Sequence, residues 1–204
     1  EEVNAFAGGE GFYQLGEVRR LRGDVEGAFA AFAKARTFGI EPQPGEALLR
    51  CSQGDSEAAW AELRVALAAA DRLSRMRLLR GAVEIALARG DLEEAEQHRT
   101  DLAAGAATFG TPGFKAWAAH ARGALLVRRG RHADALEVLS TALREYRVQQ
   151  SRYETAEVYD WMALAHRGMG AEDAARADEA TAASIYRQLG VEPAHICGAP
   201  SPGG

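Results

Sequence analysis

The chain has 204 residues, 47% hydrophobic and 26% charged, a composition suited to a soluble globular protein of one elongated domain or two small ones. Its formal net charge of −5 argues against the basic face that nucleic-acid phosphates require, so this segment is not expected to grip DNA itself. No run approaches the ~18 consecutive apolar residues of a membrane span, no signal-peptide pattern is present, and Cys51 and Cys197 stand too far apart for a CxxC pair, so a cytoplasmic setting without a disulfide framework is expected.

Residues 1–9 read as a flexible N-terminal segment of an excised fragment, running into the glycine-rich Gly8-Gly9-Glu10-Gly11. That stretch lacks the Lys-Ser/Thr of a phosphate-binding loop and is expected to lead into the first helix. From 10 to 190 one form recurs five times: a helical run, a glycine turn, then a second helix. The segments are LRGDVEGAFAAFAKA, SQGDSEAAWAELRVA, LARGDLEEAEQHRTDL, VRRGRHADALEVLSTA and RGMGAEDAARADEATA. Their turn glycines are Gly23, Gly54, Gly90, Gly130 and Gly170, spaced by 31, 36, 40 and 40 residues. Five residues after each stands alanine: Ala28, Ala59, Ala95, Ala135 and Ala175. Nine after come Phe32, Leu63, Arg99, Leu139 and Glu179, and twelve after come Ala35, Ala66, Leu102, Ala142 and Ala182.

The spacing has a physical reading. Glycine ends a helix in the left-handed conformation, and Asp24, Asp55 and Asp91 can cap the helix that follows. Alanine at the fifth position lets two helices approach closely, and the ninth and twelfth positions share one face. Each hairpin then has an apolar face that only a stacked neighbour can bury. The stretch predicts an all-α solenoid of about five helical hairpins.

Pro42, Pro44 and Gly45 interrupt this pattern between the first hairpin and the second. Two prolines in three residues cannot lie within a helix, so they are expected to separate the hairpins, with a shortened helix of about two turns following over 46–53. At the other end, residues 191–204 are rich in Pro, Gly and Ser and have the composition of a linker.

The five-fold pattern resembles the tetratricopeptide repeat on Leu15-Gly16, Ala28, Phe32 and Ala35, and again on Gly123, Ala135, Leu139 and Ala142. Arg99 and Glu179 depart from it, so the third and fifth units are degenerate. A second resemblance rests on YQLGEVRRLRGD, GIEPQPGEALLRCSQGD, RLLRGAVEIALARGDLEEA, RYETAEVYDWMALAHRGMGAEDAA and IYRQLGVEP. Together these are similar to the helical-repeat region preceding the DNA-binding domain of actinobacterial LuxR-family transcriptional regulators. The resemblance implies a regulatory, protein-interaction role, with DNA contacted only through a helix-turn-helix beyond this segment and 191–204 as the linker towards it. Partners would be a protein or peptide segment, including other domains of the same chain, with no membrane. A scaffold or homodimer of repeats with an idle groove is the alternative.

In tetratricopeptide-like arrays the first helix of each pair lines the concave face. Carried onto this sequence, that face comprises Tyr13, Gln14, Glu17 and Arg20, then Arg77, Arg80 and Glu84, then Trp117 and His120, and finally Glu157, Asp160, Trp161 and Arg167. Aromatics beside arginines and carboxylates are residue types that anchor a partner segment. The histidines His98, His120, His132, His166 and His195 form no metal-binding spacing, and no serine stands in a nucleophile setting. No enzyme activity, catalytic residue, metal or cofactor is expected.

Overall fold

The computed structural model of the protein describes residues 2–191, with side chains from Ala7 onward. These residues form ten α-helices: α1 Glu2–Leu21, α2 Val25–Thr37, α3 Gly45–Ser52, α4 Ser56–Ala69, α5 Arg72–Arg89, α6 Leu92–Phe109, α7 Pro112–Arg128, α8 His132–Val148, α9 Arg152–Gly168 and α10 Glu172–Leu189. The molecule is all-α, as the sequence predicts. Among the described residues no helix is long and apolar enough to cross a membrane.

The helix boundaries follow from local chemistry. All five turn glycines have positive φ, between 72° and 89°, a conformation that costs a side-chain-bearing residue energy. Asp24, Asp55 and Asp91 accept from the backbone amides of Gly27, Ala58 and Glu94, closing the starts of α2, α4 and α6. The fourth and fifth turns put Arg131 and Ala171 at that position, and α8 and α10 start without a side-chain cap.

Consecutive helices pack as hairpins, α1 with α2 through α9 with α10, and each hairpin packs on the next in chain order. The odd-numbered helices also touch one another in succession, forming an inner layer, and the even-numbered ones lie outside. The fifth-position alanines Ala28, Ala59, Ala95, Ala135 and Ala175 are all 0% exposed, at the points where paired helices meet. Glycine does the same work in the facing helix. A Cβ at Gly16 would lie 2.4 Å from the Phe32 ring, and one at Gly123 2.4 Å from Leu139, so only glycine permits these approaches.

The proline stretch separates the first two hairpins, and α3 is only 8 residues long. Its start is closed from behind: buried Gln43 accepts from the Ala47 amide through its side-chain oxygen. Buried Glu46 meets Arg36 from α2 and Arg50 from its own helix, which ties the short helix to the first hairpin.

Two expectations change. The stretch 2–9, expected as a flexible lead-in, is helical: α1 begins at Glu2, and Gly9 lets Phe38 and Ile40 lie against it. Cys51, buried in α3, is disulfide-bonded, contrary to the reading of unbridged cysteines. The linker expected over 191–204 lies outside the described residues from 192 onward; its first residue, Val191, is buried beside Tyr186.

The two ends of the stack also meet. Leu21, at the end of α1, packs into the last hairpin against the cluster of Ala156, Ala182, Tyr186 and Val191. Five hairpins therefore curl far enough for the first to touch the fifth.

Candidate functional site: the inner cleft

The curl encloses a cleft of ≈ 360 Å³ between the odd-numbered helices. Each of the five contributes to its wall: Tyr13, Gln14, Glu17 and Arg20 from α1, Leu48 from α3, Arg77, Arg80 and Glu84 from α5, Trp117 from α7, and Tyr153, Glu154 and Glu157 from α9. These side chains share one space because residues three and four apart on a helix lie on one face.

Arg80 is the hub. Its Nε lies 3.2 Å from Glu84 Oε1, its Nη1 3.2 Å from Glu154 Oε1, and its Nη2 2.7 Å from Glu157 Oε2. Its guanidinium stands 5.7 Å from the Trp117 ring centroid, so one side chain joins α5 to α9 across α7. Beside it, Arg20 donates through Nε and Nη2 to both oxygens of Glu17, each at 3.1 Å, in the fork geometry that guanidinium and carboxylate share. Arg77 lies over the Tyr13 ring, 4.6 Å from its centroid. Tyr13 itself is buried against Phe32.

Three carboxylates around one guanidinium set the electrostatics. Burial opposes the charge on Arg80, but its carboxylates, Glu157 foremost, hold its pKa well above the ordinary value. Burial pushes Glu157 up to about 8, with Glu84 and Glu154 adding to the effect and Arg80 opposing it. Glu84 is raised as well, first by burial and then against the pull of Arg80. Burial thus favours the protonated form of both glutamates, and the Arg80 guanidinium opposes it.

Nine of the thirteen residues expected on the concave face line this cleft: Tyr13, Gln14, Glu17, Arg20, Arg77, Arg80, Glu84, Trp117 and Glu157. Four do not. His120 is buried behind it, 3.4 Å from the Tyr146 hydroxyl through Nδ1, and burial beside Arg80 lowers its pKa to about 3. Asp160 faces the last hairpin and accepts from the Tyr186 hydroxyl at 2.8 Å, with burial raising its pKa to about 6. Trp161 packs between the two larger core clusters with the Arg128 guanidinium over its ring. Arg167 pairs with Glu179 at 2.8 Å and Glu172 at 3.6 Å, away from the cleft.

Sequence reasoning passed over Tyr153, Glu154, Pro44 and Leu48. Tyr153 and Glu154 stand four and three residues before Glu157, a spacing that places all three on one helix face. Pro44, expected as a separator of hairpins, also packs into the wall, and a Cβ at Gly81 would come within 2.6 Å of it.

Comparison of the chain with known protein families, with curated proteins and with solved structures finds no match.

Proposed function

We propose that the chain is a tetratricopeptide-like α-solenoid from a LuxR-type transcriptional regulator, holding a protein or peptide segment in its inner cleft and so gating a helix-turn-helix carried elsewhere. The reading rests first on the recurrent strings described above, which resemble that class. The structural observation in its favour is the Arg80 hub. A buried cation shared by three carboxylates is poor at stabilising a fold, because desolvation consumes most of the Coulombic gain. Such a cluster makes sense where an incoming segment completes its pairing. The half-buried Glu17, Glu84 and Glu154 retain acceptor capacity towards the cleft, and the Arg77 guanidinium, on the cleft wall, lies over the Tyr13 ring. A segment gates the regulator if it binds one arrangement of the helices better than another.

The alternative, a scaffold that dimerises through the apolar faces of its end hairpins, has less support. Part of those faces is already used within the chain, where Leu21 meets the last hairpin.

The test is titration of the purified chain against the helix-turn-helix portion of its parent regulator, followed by calorimetry. Arg77→Ala and Gln14→Ala, both lining the cleft, should weaken binding by roughly tenfold, the cost of a charged or central contact, with helical circular dichroism unchanged. Equal affinity in the variants, or no complex at all, removes the proposal. A chain that instead dimerises with concentration, insensitively to these variants, would favour the scaffold.

A further inference from the structure

A second, separate cavity lies where the repeat pattern is broken. Nine residues after the turn glycine, the first, second and fourth hairpins bury Phe32, Leu63 and Leu139 with 0% exposure. The third hairpin places Arg99 there, and the seam between α6 and α7 holds a cavity of ≈ 340 Å³. The residue directly after the turn glycine breaks the pattern as well. The first three turns use a capping aspartate, whereas the turn from α7 into α8 uses Arg131. Both departures line the same cavity, together with Arg122, Arg129, a floor of Leu125 and Leu126, and one carboxylate, Glu96.

The charges are arranged unequally. Glu96 sits between two guanidinium groups, with Arg99 Nε at 2.9 Å and Arg129 Nη1 at 2.8 Å. Burial works against its charge, but Arg99 and Arg129 hold its pKa below the usual range, so it is ionised and acts as an internal counterion. Arg131 reaches Asp134 at 2.7 Å on the rim, and exposed Glu93 stands 3.7 Å from Arg129. Among the described residues Arg122 has no partner. Four arginines and one carboxylate thus line the cavity, in a protein whose net charge is −5. The opening amides of α8, beside Arg131, also lack a side-chain acceptor.

We propose that the α6–α7 seam is a binding site for the phosphoryl group of a small phosphorylated molecule. Planar guanidinium forks match phosphoryl oxygens in pairs, and several of them converging from two hairpins suit a compact, multiply charged anion. A cavity of this volume takes a small molecule. The rim carboxylates Glu93 and Asp134 oppose an extended polyanion laid across the surface, which argues against a nucleic-acid backbone. Glu96 occupies the guanidinium groups until the ligand arrives and must yield part of their pairing to it.

Calorimetric titration of the intact chain with pyrophosphate at fixed ionic strength tests this. One saturable site is expected. Arg122→Ala should weaken binding about tenfold, since an exposed and unpaired arginine can be removed without disturbing the fold. Glu96→Gln should tighten binding severalfold by releasing Arg99 and Arg129, a gain that a purely structural ion pair would not produce. Arg64→Ala, exposed on α4, should leave affinity unchanged. The inference is overturned by the absence of saturable binding, or by equal losses in Arg64→Ala and Arg122→Ala. Binding of a DNA duplex that pyrophosphate fails to displace would overturn it too.

Discussion

Glu157 shows how one residue couples the cleft to the solution around it. A carboxyl whose pKa is higher folded than unfolded binds its proton more tightly in the fold. Its protonation therefore favours folding at low pH, and that contribution is lost as pH rises from the ordinary glutamate value of ~4.3 through the folded value of about 8. His120 works in the opposite sense and in another window: its depressed pKa, about 3, removes stability as pH falls below the ordinary histidine value of ~6.5. Glu157→Gln mimics the protonated acid and can still accept from Arg80. Its melting temperature should fall less than that of the parent between about pH 5.5 and 8.5, by thermal unfolding at matched ionic strength. Equal slopes for the two proteins would show that Glu157 is ionised in the fold. The tetratricopeptide resemblance put Glu157, Arg80 and Glu84 together on one inner face, and all three line the cleft. It did not reveal that Arg80 spans from α5 to α9, because that contact depends on how tightly the stack curls and not on any local pattern.

At the scale of the helix pair, glycine has two distinct jobs that composition cannot separate. Gly11 has nothing within 4 Å of a would-be Cβ, whereas Gly123 would meet Leu139 at 2.4 Å. Gly11→Ala should therefore stabilise α1 by about 0.5–1 kcal/mol, the ordinary gain inside a helix. Gly123→Ala should destabilise by ~1–3 kcal/mol through overpacking of α7 on α8. Chemical denaturation of both variants reads the contrast directly; two changes of the same sign would contradict the packing described. This level of organisation was the most legible in the sequence. Positive-φ glycines, aspartate caps and fully buried fifth-position alanines all follow from offsets along the chain, since they depend on contacts within one hairpin. The helical start at 2–9 was less legible. Its glycines look like a loop until Phe38 and Ile40 are seen against Gly9, and that contact comes from the far end of α2. In the sequence Arg99 marks only a defect in the repeat, and the cavity it lines needs α7 and the following turn to complete it.

For the whole molecule, the contact between Leu21 and the last hairpin alters how the stack should come apart. In a linear array each end unit has one neighbour, so the ends open first and unfolding creeps inward. Here the first and last hairpins brace each other, and the Arg80 bridge from α5 to α9 adds a tie across the middle. The architecture behaves less like a row of dominoes than like a hoop whose clasp holds every member under the same constraint. Breaking the clasp should be felt far along the chain from the break. Leu21→Ala is expected to speed amide exchange in α10 by about tenfold, ~1.4 kcal/mol of local opening, although some 150 residues or more separate them in sequence. Exchange confined to α1 and α2 would show that the ends open independently. A segment entering the cleft would meet the same clasp, and the free energy of prying it apart would be set against whatever the segment gains inside.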